Sequence, residues 1–305
     1  MLSVLGHMAA LIAFGVLWRA SAPMGLAADE VRRAISSLVL ILLLPALVLQ
    51  VLWRAPIGIS SLWISGIAAL CVLAAIALSG FIYRRWGVAR PVVGTLILAA
   101  SWPNATYLGL PVLEQTLGEW ARSVAIHYDL FACTPLLLSL GAYIASSHGD
   151  SLEEVRPVRA LLRVPPLWAA LVGVALNLTG VAMPVWVEGL LGMMAPAVVP
   201  LMLIALGMGL RWDTLRPGQL LLFWPVALIQ LLLMPLLALG VARAGGLESG
   251  LVSAVVLESA MPAMVLGMVL CDRYRLEPGL YAGAVTVSTV LSMLTLPLWL
   301  RWLGG

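Results

Sequence analysis

The sequence predicts an all-α protein that crosses a lipid bilayer ten times, and three observations lead to this class. Of its 305 residues, 62% are hydrophobic and 10% are charged, whereas an ordinary soluble domain carries about 25% charged residues. The apolar residues are gathered into runs close to the roughly 20 that a helix needs to span the hydrocarbon core. Two of these runs, one in each half of the chain, are interrupted by proline and polar residues. A soluble fold cannot bury this much apolar surface, so the bilayer is the expected solvent.

Ten apolar runs separated by polar loops are the predicted spans. Their limits are residues 2–18, 34–53, 60–83, 91–117, 121–146, 166–183, 189–210, 218–242, 247–271 and 279–300. The long connector at residues 147–165 is polar and divides the chain into a first half, residues 1–146, and a second half, residues 166–305. Five spans in each half make the second half enter the membrane from the opposite side. The two halves are therefore predicted to be inverted repeats.

Arginine placement predicts the orientation, because positive residues in short loops stay cytoplasmic. With both termini outside, 13 of the 17 basic residues fall on the cytoplasmic side, Arg216 among them. The four on the other side are Arg54, Arg122, Arg243 and Arg301. We therefore expect a multi-pass protein of the cell inner membrane, with both termini on the non-cytoplasmic side and the connector in the cytoplasm.

Two of the predicted spans contain residues that a continuous helix avoids. The fourth includes SWPNATYLGLP at residues 101–111, and the ninth includes ESAMP at residues 258–262. Each proline removes a backbone donor and clashes with the preceding turn. Polar groups freed in this way are tolerated in lipid only where protein or a water-filled cavity satisfies them. Interruptions at matching places in two halves indicate a secondary transporter built from inverted repeats.

The two interrupted spans are predicted to cross near the bilayer centre and to form a binding site there. The start of a helix presents unpaired N–H groups and a positive partial charge, which favours an anion. Asn104 and Thr106 can donate hydrogen bonds to a carboxylate, while Trp102 and Tyr107 can enclose an apolar body. The predicted substrate-binding residues are Trp102, Pro103, Asn104, Thr106, Tyr107, Pro262, Ala263 and Met264. The alternative is that the prolines only kink two packed helices.

Two acidic residues are candidates for coupling transport to an ion. Asp129 lies in the fifth span, where an ionisable side chain is costly and by default functional. Burial favours the protonated form of a carboxyl group, so Asp129 can exchange a proton; the alternative is that it caps a neighbouring broken helix. His127 is two positions away and faces another side of the helix. Glu258 lies four residues before Pro262, where it can reach freed backbone donors or take a coupling proton.

Several other classes of function find no support in the residues. Cys71, Cys133 and Cys271 have no metal-ligand spacing, so packed thiols are expected rather than a metal site. Three scattered histidines without a hydrolase motif argue against an intramembrane enzyme, and no catalytic residue or cofactor is predicted. The net charge of +3, with no basic cluster among aromatics, does not suggest nucleic acid as a partner.

The motifs resemble those of the auxin efflux carrier family, which includes bacterial malonate and other organic-acid permeases. The most specific match is Asn104 to Pro111, which is similar to the family's Asn-x-x-x-x-Gly-x-Pro crossover motif. LAADE at residues 26–30 and LLPA at 43–46 resemble its first loop and second helix. YDL at 128–130 resembles the acid-bearing fifth helix, and AMP at 260–262 with residues 285–297 resembles the last two helices. The resemblance covers nearly the whole chain.

The resemblance implies the ten-helix fold of bile-acid symporters and sodium/proton antiporters. In that fold, spans 1, 2, 6 and 7 form a panel that supports a core of spans 3–5 and 8–10, with crossed broken helices 4 and 9. It also implies elevator-type alternating access and a homodimer. Two departures concern the substrate: Val265 and Leu266 stand where the family often has a polar residue, and Trp102-Pro103 replaces a smaller pair. They indicate a less polar and bulkier cavity, which would mean either a different substrate, such as a monocarboxylate with an apolar body, or lost coupling.

The leading hypothesis is a secondary active transporter that moves a small organic anion and is coupled to protons or to the membrane potential. A sodium-coupled symporter or sodium/proton exchanger of the same fold is the alternative. The sequence disfavours it because no acidic pair or dense cluster of carbonyl and hydroxyl groups is apparent at the two breaks. A membrane sensor without transport activity is the hypothesis from another class, and no output domain supports it.

Overall fold

The computed structural model describes residues 2–151, 154–215 and 217–304, and its regular structure there is helical. Arg216 lies outside these ranges. Within them, six helices are long and apolar enough to cross a membrane: Ala28–Arg54, Ile59–Arg85, Glu119–His148, Val185–Thr214, Leu220–Ala244 and Pro278–Trp302. The predicted all-helical class is confirmed, and this number of apolar helices is that of a multi-pass membrane protein.

Shorter helices fill the remaining apolar runs. In chain order the helical stretches are α1 (Leu2–Ser21), α2 (Ala28–Arg54), α3 (Ile59–Arg85), α4 (Arg90–Ser101 and 105–117), α5 (Glu119–His148), α6 (Pro165–Leu178), α7 (Val185–Thr214), α8 (Leu220–Ala244), α9 (Ser249–Ser259 and Gly267–Arg273) and α10 (Pro278–Trp302). A short connector helix, Pro157–Leu161, lies between α5 and α6. We call the two parts of the divided stretches α4a and α4b, and α9a and α9b.

Some predicted limits are wrong. α2 begins at Ala28 rather than residue 34, with Asp29 and Glu30 in its first turn, where acidic side chains favour the helix dipole. α6 ends at Leu178 rather than 183, because Gly180 takes a positive φ of 68° and a left-handed glycine ends a helix.

Widened π-helical turns precede four of the prolines inside the bundle. The turns Val39–Leu43, Ala105–Gly109, Asp129–Cys133 and Ile229–Leu233 are each followed by a proline at the second position. A proline ring clashes with the carbonyl four residues earlier, and a wider turn is one of the ways in which a helix accommodates such a defect. Pro45 therefore leaves α2 continuous.

Helices that are distant in the chain pack in two groups. α1 packs along α7 and α6 along α2. The backbones of α1 and α7 meet at Gly15, where a Cβ would lie 2.6 Å from the Met208 nitrogen and 2.8 Å from the Gly207 Cα. α3 packs against α4a, and α8 against α9a. Asn177 links α6 to the end of α2 by donating to the carbonyls of Trp53 (2.9 Å) and Ala55 (2.8 Å).

Candidate functional site

The first break begins where α4a ends at Ser101. Pro103 has no N–H group, and Trp102 takes an extended conformation that stops the helix. The chain turns back into a helix at Ala105, with Asn104 at the N-cap. The Asn104 Oδ1 accepts a hydrogen bond from the Tyr107 N–H at 3.2 Å, as asparagine does at helix starts. Asn104 therefore starts the second part of α4.

The second break lies between Ser259, the end of α9a, and Gly267, the start of α9b. Two of its backbone groups form hydrogen bonds with side chains of α10. The Ala263 N–H donates to the Ser288 Oγ at 3.1 Å, and the Tyr281 hydroxyl donates to the Met264 carbonyl at 2.6 Å. The break is wider than the first, and it depends on side chains of another helix.

The two breaks meet in space. Pro103 and Ala263 form an antiparallel bridge. The Asn104 N–H donates to the Pro262 carbonyl at 2.7 Å, and the Met264 N–H donates to the Trp102 carbonyl at 2.9 Å. The backbone groups that two continuous helices would have paired internally are thus paired with each other. The alternative of two merely kinked helices is excluded by this geometry, and we call this meeting point the crossover.

Two residues that the sequence analysis did not assign to the site also contribute to the crossover. The Gln230 Nε2 donates to the Trp102 carbonyl at 3.0 Å, while its Oε1 is buried without a partner. Ser288, in α10, accepts a hydrogen bond from the Ala263 N–H. The one sequence signal for Gln230 is an amide inside an apolar run, and no local pattern could have assigned either residue to a break elsewhere in the chain.

Most of the predicted substrate-binding residues are buried. Trp102, Asn104 and Ala263 have no exposed surface, and Pro103, Thr106, Pro262 and Met264 are also buried. The Trp102 indole donates to the Cys133 carbonyl at 3.1 Å. The Asn104 Nδ2 is buried and has no hydrogen-bond partner. That these residues bind substrate stays a prediction, with one donor of Asn104 available for it.

A cavity of about 340 Å³ adjoins the crossover between α2, α7, α4b and α9b. Tyr107 is the one predicted site residue that lines it, together with Arg32, Arg33, Ser36, Ser37, Leu40, Ala205, Leu206, Val265, Leu266, Met268, Val269 and Asp272. The Tyr107 side chain lies beside Ser36 and close to Arg32. The cavity has mostly apolar walls with arginine at one end, which suits a small anion with an apolar body.

Arg32 is one of three charged residues that line this cavity and that the sequence analysis did not assign to the site; the others are Arg33 and Asp272. The Arg32 side chain is 23% exposed and its Nε lies 3.8 Å from the Asp29 carboxylate. That Nε is buried and makes no hydrogen bond. A guanidinium that is partly withdrawn from water and not fully paired favours a carboxylate ligand. The missed signal is an arginine pair, Arg32 and Arg33, in the first turns of an otherwise apolar helix.

Asp129 and Glu258 lie on two sides of α4b. Asp129 accepts hydrogen bonds from the hydroxyls of Thr106 and Thr134, the latter at 3.0 Å. Glu258 has no exposed surface and neither carboxyl oxygen has a hydrogen-bond partner, so the expectation that it reaches freed backbone donors is wrong. Gly109 permits this arrangement, because a Cβ there would lie 2.7 Å from the Glu258 Cδ.

The structure brings together the acidic pair that the sequence did not reveal. Asp129 and Glu258 are near enough to interact electrostatically, although they are 129 positions apart. His127 points elsewhere, with its Nδ1 2.7 Å from the Ser123 carbonyl, as expected. In the described part of the chain, no three His, Cys, Asp or Glu side chains form a metal-ligating group.

Two discontinuous helices that meet inside a multi-pass membrane protein are typical of secondary transporters. Comparison with known proteins agrees with this class. A family model described as "Membrane transport protein" matches residues 7–300. The chain belongs to this family, and the resemblance to auxin efflux carriers is thereby confirmed.

Three relatives carry transporter names. An "Uncharacterized transporter" of Methanothermobacter thermautotrophicus is 33% identical over 282 residues, which is 90% of each chain. "Uncharacterized transporter MJ1031" of Methanocaldococcus jannaschii is 26% identical over 212 residues, 68% of this chain and 67% of that one. "Uncharacterized transporter YfdV" of Escherichia coli K12 is 22% identical over 208 residues, 67% of this chain and 66% of that one.

Proposed function

We propose that the protein is a secondary active transporter for a small organic anion with one carboxylate and an apolar body. The observation that carries this proposal is the cavity beside the crossover, which is lined by both Arg32 and Tyr107. The cavity volume of about 340 Å³ is at the small end of the range for ligand sites. The positive charge of Arg32 and the helix start at Asn104 both favour an anion over a cation.

The architecture in this proposal is ten membrane spans in two inverted repeats. The two breaks are 159 positions apart, measured from Pro103 to Pro262, and they pair antiparallel, as oppositely directed spans would. The packing of α1 with α7 and of α2 with α6 supports a panel of these four helices. The remaining six would form the core that carries the crossover.

The transport step that fits this division is elevator-like. The cavity lies between α2 and α7 of the panel and the broken helices of the core. Sliding of the core past the panel would expose the site to each side of the membrane in turn, since Asn104 and Tyr107 would move while Arg32 stays with the panel. The predicted placement in the cell inner membrane, with both termini outside, and a homodimer through the panel belong to the same proposal.

Coupling to protons is proposed to run through Glu258 and Asp129. Burying an ionised carboxylate without a hydrogen-bond partner is costly, so Glu258 fits the neutral form in this conformation. Movement of the core can give it water or a partner, and then it can release a proton. Asp129, which accepts two hydroxyl hydrogen bonds, is suited to hold its charge.

Carboxylate counterflow in proteoliposomes tests the proposal. A set of mono- and dicarboxylates is screened for thermal stabilisation of the purified protein, and each hit is then measured for exchange. We expect monocarboxylates with an apolar body to exchange, and Arg32→Gln to lower the rate at least roughly tenfold, the equivalent of 1.4 kcal/mol. Arg54→Gln is the matched control from the same helix, because Arg54 lies at the other end of α2 and does not line this cavity. Failure of every carboxylate to exchange in the unmodified protein would refute the proposal.

The acidic pair supports a second candidate, a sodium-coupled carrier of the same fold. Two carboxyl groups that flank one broken helix can share a cation as well as a proton. Uptake is measured with a sodium gradient alone and with a proton gradient alone. Uptake driven by the first and not by the second favours the sodium-coupled carrier.

A further inference from the structure

A second cavity lies at the arginine-rich end of the bundle. Its volume is about 600 Å³, and it lies between the connector helix, α5 and the end of α9b. The charged residues on its wall are Glu154, Arg156, Arg159, Arg163 and Arg273. Four arginines against one glutamate make the cavity strongly positive, and the transport mechanism makes no use of it.

The arginines of the connector are not all neutralised by protein. Arg156 pairs with Glu154 at 2.9 Å. Arg159 and Arg163 are exposed, and neither side chain has an ion pair or a hydrogen bond to any described residue. Like charges held at one cavity repel each other unless a counter-charge binds between them. A ligand with an anionic group would supply that counter-charge.

The neighbouring surface of the connector is apolar. Val158 is 70% exposed and Leu162 is 55% exposed, and they lie one turn apart, next to Arg159 and Arg163. Trp168 is also exposed, and its indole donates to the Leu162 carbonyl at 2.9 Å. Apolar and aromatic residues beside arginines are the pattern of a segment that rests in the membrane interface. The cavity therefore opens where lipid head groups lie.

We propose that this cavity binds the phosphate head group of an anionic phospholipid, with Arg159 and Arg163 on the phosphate and Val158 and Leu162 against the acyl chains. Basic pockets between membrane helices are known to select anionic lipids in this way. A soluble phosphate compound shares the head-group chemistry but makes no use of the apolar surface. The bound lipid would link the connector between the two halves of the chain to the end of α9b.

Lipid binding to the full-length protein tests the proposal. The protein is reconstituted in vesicles of phosphatidylcholine mixed with phosphatidylglycerol and released for native mass spectrometry, which counts retained lipids. The thermal unfolding midpoint is measured in detergent during titration with phosphatidylglycerol, phosphatidylcholine or inorganic phosphate. We expect retention of phosphatidylglycerol, a stabilising shift with that lipid alone, and roughly thirtyfold weaker binding in the Arg159→Gln/Arg163→Gln variant.

The matched control is Arg84→Gln/Arg85→Gln, which removes two arginines at the end of α3 that do not line the cavity. We expect it to bind phosphatidylglycerol as the unmodified protein does. Equal affinity in the Arg159/Arg163 variant would overturn the proposal, and so would an equal loss in the control. Stabilisation by inorganic phosphate at the same concentrations would show a soluble-phosphate site instead. If either double variant fails to fold, the two corresponding single variants are measured instead. For Arg159→Gln and Arg163→Gln we then expect each to lose half as much binding free energy as the double variant.

Discussion

The two breaks that form the crossover are built differently, although each of them interrupts a helix inside the bundle. The first break carries its own polar side chains, with Asn104 capping the new helix and Thr106 donating to Asp129. The second break has none after Pro262 and takes its partners from Ser288 and Tyr281 of α10. One side can therefore offer side-chain hydrogen bonds to a substrate, while the other offers backbone and apolar surface.

The two buried acids show the same difference. Asp129, beside the first break, has two hydroxyl donors. Glu258, four residues before Pro262, has none. Removing one partner from a buried charged group costs more than removing a neutral contact. In the proposed mechanism, Asp129 would hold its charge in this conformation, and Glu258 would be the group whose environment changes during transport.

The largest expected effect is that of Asn104→Ala on transport. The substitution removes both the helix cap, worth about 1 kcal/mol, and the buried amide donor of the crossover that has no hydrogen-bond partner. We expect carboxylate exchange in proteoliposomes to fall by at least roughly tenfold. Thr116→Ala is the control on the same helix, since its hydroxyl donates within its own helix, to the Val112 carbonyl. Unchanged exchange by the Asn104 variant would remove the first break from the substrate site.

The next prediction distinguishes Asp129 from Glu258 by the change in stability that each substitution causes. Asp129→Asn leaves two threonine hydroxyls without their charged acceptor, and we expect a loss of about 2 to 3 kcal/mol in stability. Glu258→Gln retains the shape of the neutral acid, so its stability should stay within about 1 kcal/mol of the unmodified protein.

Thermal unfolding in detergent measures the stability of both variants, and proteoliposome uptake across a pH gradient measures coupling. We expect Glu258→Gln to exchange substrate without responding to the gradient. If the Glu258→Gln variant keeps uptake driven by the pH gradient, Glu258 is not the coupling group. If that variant is destabilised, the proposal that Glu258 is neutral in this conformation is wrong.

A smaller effect on stability is expected where α4b approaches α9a closely, at Gly109 and Glu258. Gly109→Ala places a methyl group against the Glu258 carboxyl, and overpacking of this kind costs about 1 to 3 kcal/mol. Glu258→Ala in the same chain should recover part of that loss, because it frees the space. The control is Gly66→Ala, where a Cβ would meet no atom within 4 Å. Additive effects in the double variant would show that the two positions do not touch.

The smallest expected effect is that of Ser288→Ala. It leaves the buried Ala263 N–H without an acceptor and should cost about 1 kcal/mol. Ser292→Ala is the control, because the Ser292 hydroxyl donates within α10, to the Thr289 carbonyl, and serves no break. The two variants are compared by their thermal unfolding midpoints. Equal midpoints would mean that the second break does not depend on α10 for its stability.

The sequence by itself determined the membrane class, the order of the apolar helices and the position of both breaks. These features follow from local chemistry. Apolar runs of membrane length have no other solvent, and the prolines beside Asn104 and after Met261 favour a helix end because each lacks a backbone donor and clashes with the preceding turn. The family match through residues 7–300 agrees with the resemblance seen in the crossover motif.

Only the tertiary structure decided which groups surround the breaks. Gln230 and Ser288 reach the crossover from helices that are 128 and 25 positions away from their partners. Arg32 reaches the cavity through the packing of α2 beside α4b, and Asp129 and Glu258 are neighbours only because α4b passes between them. A backbone group freed by a proline can accept a partner from any helix that comes near. The chain order does not state which helix that is, because packing between helices has no local sequence signal.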